Sequence, residues 1–129
     1  MTLLYAYIES PTHPQLPDVF PKLGIDARRV SSLRKLMKLL KKETPDMVLV
    51  EFFYGYSNNY AGANISNLDV LLRNMQQKYP DVKLVIISSK KEAQYVEKLS
   101  DIFPITALIT HPVIPHNLEN ALAQIIKAQ

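Results

Sequence analysis

The chain has 129 residues, of which 47% are hydrophobic, so its length and composition suit one folded domain over residues 1–129. Its 15 basic and 12 acidic side chains leave a formal net charge of +3, too small an excess to identify nucleic acid as a partner. The absence of cysteine excludes disulfides, thiol catalysis and thiolate metal sites. No apolar run approaches the ~20 residues that cross a bilayer. The first residues lack signal-peptide features, so we expect a cytoplasmic protein without membrane contact.

The first quarter of the chain predicts two strands joined by a short helix. An apolar run at residues 2–8 is typical of a strand, and residues 25–30 predict a second one. Residues 13–23 between them contain three prolines, so we expect a short or broken helix there. Gly24 is suited to end it.

Residues 33–42 predict an amphipathic helix, for which Ser31 or Ser32 is a suitable N-terminal cap. Apolar residues fall at helical spacing on one face, and basic residues occupy the rest. We interpret the basic face as a solvated surface that could also contact nucleic acid or an acidic partner. The apolar positions are Leu33, Leu36, Met37 and Leu40, and the basic ones are Arg34, Lys35, Lys38, Lys41 and Lys42.

The middle of the chain predicts a central strand followed by a long loop. Residues 47–53 are nearly all apolar, which is typical of a parallel strand covered on both faces. Glu51 is the one charged residue in that run. Residues 54–64 are rich in Gly, Asn and Tyr and predict a loop.

The second half of the chain predicts three helices alternating with two strands. The strands are expected at residues 83–87 and 106–110. Ser89 and Glu92 match a capping box at the start of the fourth helix. The expected inward-facing helix positions are Leu68, Leu71, Leu72, Met75 and Tyr79, then Ala93, Val96 and Leu99, and finally Leu118, Leu122, Ile125 and Ile126.

Strands and helices therefore alternate along the chain. This order indicates an α/β fold in which a doubly wound parallel sheet carries helices on both faces. Ligands of such sheets bind at the carboxyl ends of the strands, so chemistry is expected there.

Three stretches resemble the CheY-like receiver domains of response regulators. They are GIDARRVSSLRKLMKLLKKETPDMVLVE at residues 24–51, VKLVIISS at residues 82–89 and ALITHPVIPHNLENALAQII at residues 107–126. The resemblance covers most of the chain. It implies a flavodoxin-like sheet of five parallel strands in the order 2-1-3-4-5, and a role in signal transduction of the two-component type.

Receivers accept a phosphoryl group on an aspartate that ends strand three, beside an acidic pair, a hydroxyl and a lysine. The resemblance places Glu51 at the aspartate position and Ser88 at the hydroxyl position. Glu9 is the one acid where the family has a pair, and His111, followed by Pro112, replaces the lysine. Because glutamate is one methylene longer than aspartate, its carboxylate is misplaced for in-line transfer. The resemblance therefore implies a degenerate phosphoacceptor site without catalytic residues.

Two interpretations of Glu51 remain open. Its carboxylate is either a permanent substitute for a phosphorylated aspartate or a structural group satisfied by nearby amides, Ser88 or His111. Glu9, Glu51 and His111 are also a chemically suitable ligand set for a divalent metal. No local motif fixes their spacing, so we expect neither a metal site nor a cofactor.

The loop at residues 54–64 is longer than its counterpart in the family. Tyr54, Tyr56 and Tyr60 suit a recognition surface, because tyrosine gives a large contact area at low entropic cost. The alternative is that these side chains pack back on the edge of the sheet.

Together these features predict a pseudo-receiver, which is a protein-binding module and not an enzyme. The resemblance places its contact surface on helix four, strand five and helix five, where Val113 and Ile114 add apolar area and which can also support a homodimer. One alternative is a flavodoxin-like domain that binds a small ligand or cofactor at the strand ends. The other is a weak nucleic-acid binder that uses the basic helix 33–42.

Overall fold

The computed structural model describes residues 2–8, 16–53, 67–110 and 113–128, which form one sheet with helices on both faces. Five parallel strands lie in the order β2-β1-β3-β4-β5, so the predicted fold class and strand order are confirmed. The strands are β1 (Thr2–Tyr7), β2 (Ile25–Val30), β3 (Met47–Glu51), β4 (Lys83–Ser88) and β5 (Ala107–Thr110). The helices are α1 (Leu16–Lys22), α2 (Leu33–Lys42), α3 (Asp69–Lys78), α4 (Ala93–Val96) and α5 (Pro115–Ala128), and a 3₁₀ helix (Glu97–Asp101) follows α4.

The central strand β3 is buried along its whole length. Val48 and Val50 pack into the hydrophobic cluster that includes residues of α2, α3 and α4. Met47 and Leu49 pack into the cluster that includes residues of α1 and α5. Burying one such side chain contributes about 1.5–3 kcal/mol, so the two clusters hold the three layers together.

The predicted central strand ends two residues earlier than its apolar run. The amide of Phe52 still donates to the carbonyl oxygen of Ile87 at 2.8 Å. The amide of Phe53 instead donates to the side chain of Asn67 at 2.8 Å. The chain thus leaves the sheet after Glu51 because a side chain outside the sheet takes the next backbone donor.

The helix ends follow the predicted local chemistry. Gly24 has a φ of +69°, which favours glycine, and its amide donates to the carbonyl oxygen of Pro21 at 3.2 Å. Of the two candidate caps of α2, Ser32 is the one observed, since its hydroxyl oxygen accepts a hydrogen bond from the amide of Lys35 at 3.2 Å.

The fourth helix begins later and is shorter than the pattern suggested: its N-cap is Glu92 and not Ser89, and Ala93, expected to face inward, is half-buried. The amide of Glu92 donates to the hydroxyl oxygen of Ser89 at 3.1 Å, as one half of a capping box requires. Val96 and Leu99 are buried as expected. The α-helix spans four residues before the backbone tightens into the 3₁₀ helix.

Two polar contacts attach the connection between α2 and β3 to strand β1. The hydroxyl of Tyr5 donates to the carbonyl oxygen of Glu43 at 2.7 Å. The amide of Leu3 donates to a carboxylate oxygen of Asp46 at 2.8 Å. These bonds help to fix where β3 enters the sheet. None of the helices in the described ranges is both long and apolar enough to cross a membrane.

The buried Tyr5 hydroxyl is expected to make the free energy of unfolding depend on pH in the alkaline range. Burial, followed by the negative charge of Glu43, raises the pKa of Tyr5. The folded state therefore holds this proton more tightly than the unfolded chain, whose tyrosine pKa is about 10. Its contribution to stability is full below that pH and is lost as the pH rises through the folded pKa. We expect Tyr5→Phe to lower the free energy of unfolding at neutral pH by about 1 kcal/mol and to make the alkaline decline shallower.

Urea unfolding at neutral and alkaline pH measures both effects. Tyr79→Phe makes the same chemical change at a half-buried site and is expected to keep the alkaline decline. Equal curves for Tyr5→Phe and the wild type at both pH values would contradict the prediction.

Candidate functional site at the carboxyl ends of the strands

Glu51 lies at the carboxyl end of β3, the end of the sheet where doubly wound folds bind ligands. Its side chain is only 1% exposed. Alternation along the strand places it on the sheet face of Met47 and Leu49, which is the face covered by α1 and α5. The carboxylate is thus held inside the molecule at the rim of an apolar layer.

Ser88, the second predicted site residue, ends the neighbouring strand β4 and is fully buried. Its hydroxyl donates to the carbonyl oxygen of Ser89 at 3.1 Å. Glu51 pairs in register with Ile87, so Ser88 lies one residue farther along the adjacent strand. The two strands bring these residues close in the sheet, but alternation assigns Ser88 to the opposite face, that of Leu84 and Ile86.

The remaining predicted site residues lie outside the described residues. They are Glu9, His111 and Pro112 of the degenerate phosphoacceptor site, and Tyr54, Tyr56 and Tyr60 of the predicted recognition loop. Their proposed roles stay predictions, as does the metal set of Glu9, Glu51 and His111. Within the four described ranges, no group of three or more His, Asp or Glu side chains is arranged to hold a metal ion.

Asn67 is a residue of this site that the sequence did not identify. Its amide nitrogen Nδ2 donates to the carbonyl oxygen of Glu51 at 2.9 Å. Its Oδ1 accepts from the amide of Phe53 at 2.8 Å, and its backbone amide donates to the carbonyl oxygen of Phe53 at 3.2 Å. The buried Asn67 therefore joins the end of β3 to the residues just before α3, at the base of the segment 54–66.

A second buried carboxylate, that of Asp69, lies close by in the chain. It is 1% exposed and occupies the first turn of α3. A negative side chain in this position is stabilised by the unpaired amides at the helix N-terminus. The sequence offered one signal for these two residues: Asn and Asp are both common where a turn passes into a helix.

Two surface clefts flank the sheet at opposite ends. One, of about 450 Å³, lies at the carboxyl ends of β1 and β2 and is lined by two cationic side chains, Arg29 and Lys35. A guanidinium nitrogen of Arg29 donates there to the carbonyl oxygen of Ile8 at 3.4 Å. The larger cleft, of about 480 Å³, lies at the amino ends of β3 and β4, the opposite end of these strands from Glu51 and Ser88. Only the first belongs to the candidate site.

Solved structures resemble this chain closely in backbone. A response regulator from Thermotoga maritima superposes with a TM-score of 0.78 at 18% identity, covering 98% of each chain. The chain has the receiver fold. A receiver domain protein from Clostridium thermocellum gives a TM-score of 0.75 at 14% identity, covering 99% of this chain and 96% of the other. A response regulator from Chloroflexus aurantiacus gives 0.76 at 13% identity, covering 98% of each.

These likenesses confirm the resemblance found in the sequence at the level of the fold. The identities of 13–18% are low, and no family model and no curated protein matches the chain. The receiver fold therefore accounts for the positions of Glu51 and Ser88 at the ends of β3 and β4. Their roles depend on the chemistry of the site, because one fold can carry many functions.

The Asn67 contacts predict a stability effect. Asn67→Ala removes the side-chain partners of both the Glu51 carbonyl oxygen and the Phe53 amide, which are buried or partly buried. We expect the free energy of unfolding to fall by at least about 2 kcal/mol, since each of the two abandoned polar groups costs ~1–3 kcal/mol. Urea denaturation measures the loss. Asn117→Ala, at an exposed position of α5, is the matched control and is expected to change little. A loss at Asn67 no larger than that at Asn117 would show that the contacts do not stabilise the fold.

Proposed function

We propose that residues 1–129 form a single receiver-like domain that binds a protein partner in signal transduction without being phosphorylated. It acts in the cytoplasm, catalyses no reaction and needs no cofactor. The observation that carries this proposal is a buried glutamate at the end of β3 in a receiver fold.

The burial of Glu51 argues against phosphoryl transfer. A nucleophilic carboxylate must reach the phosphorus atom in line with the leaving group, within about 3–3.5 Å. The Glu51 side chain is 1% exposed and one methylene longer than aspartate. It is therefore a poor acceptor. Transfer would further require a pair of Mg²⁺-binding acids, of which the resemblance leaves only Glu9, and a lysine, which His111 replaces.

Burial also bears on the two interpretations of Glu51. A phosphoaspartate substitute acts by presenting charge to groups that move in response to it. A carboxylate that is 1% exposed acts only on its immediate neighbours. This supports a structural role for Glu51, in which its buried side chain packs at the carboxyl ends of the strands and partners bind the surface around them.

The contact surface that we propose comprises α4, β5 and α5. Strand β5 lies at the edge of the sheet, so one side of its backbone is free to pair. Leu108 and Ile114 are 41% and 51% exposed, which is high for large apolar side chains. A protein partner or a second copy of the chain would cover them. The loop tyrosines Tyr54, Tyr56 and Tyr60 are proposed as an additional recognition element.

One observation favours a second candidate function, the binding of a small anionic ligand. The cleft lined by Ile8, Arg29, Val30, Ser31 and Lys35 lies at the carboxyl ends of β1 and β2 and carries two cations. Small phosphates or carboxylates suit such a cleft. A rise in melting temperature with millimolar inorganic phosphate that Arg29→Ala abolishes would favour this alternative.

Partner capture tests the proposed function. The tagged wild-type domain is incubated with extract of its native cell, with and without acetyl phosphate and Mg²⁺, and bound proteins are identified and their affinity measured. We expect a specific partner whose affinity changes less than about twofold on adding the phosphodonor. A partner that binds only after phosphodonor treatment would contradict the proposal.

Glu51→Gln is the variant to compare, since it keeps the side-chain volume and removes the charge. Glu51→Ala would add a buried cavity and confound the result with lost stability. Gln at this position is expected to weaken binding less than about tenfold if Glu51 is structural. A complete loss of binding by a variant that still folds would instead favour the phosphoaspartate substitute.

A further inference from the structure

The exposed face of α2 carries only positive charge. Its residues Arg34, Lys35, Lys38, Lys41 and Lys42 are all exposed, and at 100° per residue they fall within about 120° of the helix circumference. The helix contains no acidic residue. We call this set the basic face. With its five charges set aside, the rest of the chain has more acidic than basic side chains, so the positive charge is concentrated here.

Part of the basic face is unfavourable for its own helix, although Lys41 and Lys42 lie in the last turn, where the helix dipole favours cations. Lys38 lies four residues from both Arg34 and Lys42, the spacing at which like charges repel across a helix surface. Arg34 and Lys35 lie in the first turn, where the helix dipole disfavours cations. None of the five side chains forms a salt bridge with any residue in the described ranges. The five charges are therefore exposed and unneutralised within the described ranges, and so available to a partner of opposite charge.

The apolar side of α2 is already occupied. Leu36 and Leu40 are at most 1% exposed, and Leu33, Met37 and Leu39 pack against the same cluster. An interfacial helix must insert its apolar face into the lipid, so α2 cannot bind a membrane in that way without leaving the core. A partner of α2 would therefore bind the basic face mainly through electrostatic attraction.

The dimensions of the basic face favour an acidic protein segment over nucleic acid. Helix α2 is about 15 Å long, which sets the length of the basic face. Two carboxylates lie beyond its C-terminal end: Glu43 is the C-terminal cap, and Asp26 lies on the neighbouring strand β2. Both take part in ion pairs with Arg28. A duplex presents phosphates over a larger footprint than this patch can cover. The basic face also has no aromatic side chain on which unpaired bases could stack.

A helix with Asp or Glu at every third or fourth position matches the basic face in period. Such carboxylates repeat at the same rise along their helix as Arg34, Lys38 and Lys42 do along α2. From this charge complementarity we infer that the basic face of α2 docks an acidic helical segment of a protein partner. The inference rests on the proposed protein-binding function and assigns it a second surface, on the β2 side of the sheet.

Fluorescence anisotropy with a labelled helical peptide, bearing Glu at every fourth position, tests the inference on the whole domain. We expect binding that weakens as salt is raised. Reversing three charges together, Lys35→Glu, Lys38→Glu and Lys42→Glu, is expected to weaken it by about tenfold or more. The control reverses three exposed lysines elsewhere, Lys78, Lys90 and Lys91, for the same change in net charge. It is expected to retain most of the binding.

The single variant Lys38→Glu separates binding from folding. Because Glu at this position would attract Arg34 and Lys42, its melting temperature is expected to rise while its affinity for the peptide falls. A residue that served the fold alone would not show these opposite changes.

Three results would overturn the inference: equal loss of peptide binding in the two triple variants, unchanged peptide binding by Lys38→Glu, or tighter binding to a short DNA duplex or to phosphatidylserine vesicles than to the peptide. Each can occur while the capture experiment still finds a partner, so failure here is distinct from failure of the proposed function.

Discussion

Burial of the central strand β3 on both faces is the constraint on which the rest of the structure depends. A strand with neighbours on both sides and helices above and below must be apolar, and Met47 to Val50 meet that demand. The parallel pairing of β3 with β1 and β4 then requires crossover helices, which supply the two outer layers. Because Glu51 belongs to the same strand, its carboxylate is carried into the interior. The chemistry of the site follows from the architecture of the sheet.

The sequence was sufficient for the architecture because its signals are local. Three signals each depend on a few neighbouring residues: the apolar run containing β3, the serine cap of α2 and the glycine at residue 24. The structure confirms all three elements, with β3 ending two residues before the run and Ser32 as the cap. The strand order is not local, and it was predicted from the resemblance to receivers.

The site was less predictable because its geometry depends on contacts between distant residues. The side chain of Asn67 accepts a hydrogen bond from the amide of Phe53, 14 residues earlier in the chain, just where β3 ends. The burial of Glu51 and the assignment of Ser88 to the opposite sheet face result from packing and register. None of these can be deduced from residue types in order. The roles of Glu9, His111 and Pro112 stay predictions, since these residues lie outside the described ranges.

The two proposed surfaces use different physical means of recognition. The surface of α4, β5 and α5 offers apolar side chains and an unpaired strand edge, so its affinity would come from burial and backbone pairing. The basic face of α2 offers charge, which favours rate of encounter and choice of partner. They lie toward opposite edges of the sheet, because β2 and β5 are its edge strands.

Covalent phosphorylation is the most direct test of the central claim. The wild-type domain and Glu51→Asp are incubated with acetyl phosphate and Mg²⁺, beside a receiver of known activity, and their intact masses are measured. The account predicts that the active receiver gains one phosphoryl group while the wild-type domain gains none. Glu51→Asp is also expected to gain none, since restoring the aspartate restores neither the second acid of the pair nor the lysine. Stoichiometric addition of a phosphoryl group at Glu51 of the wild-type domain would contradict the account.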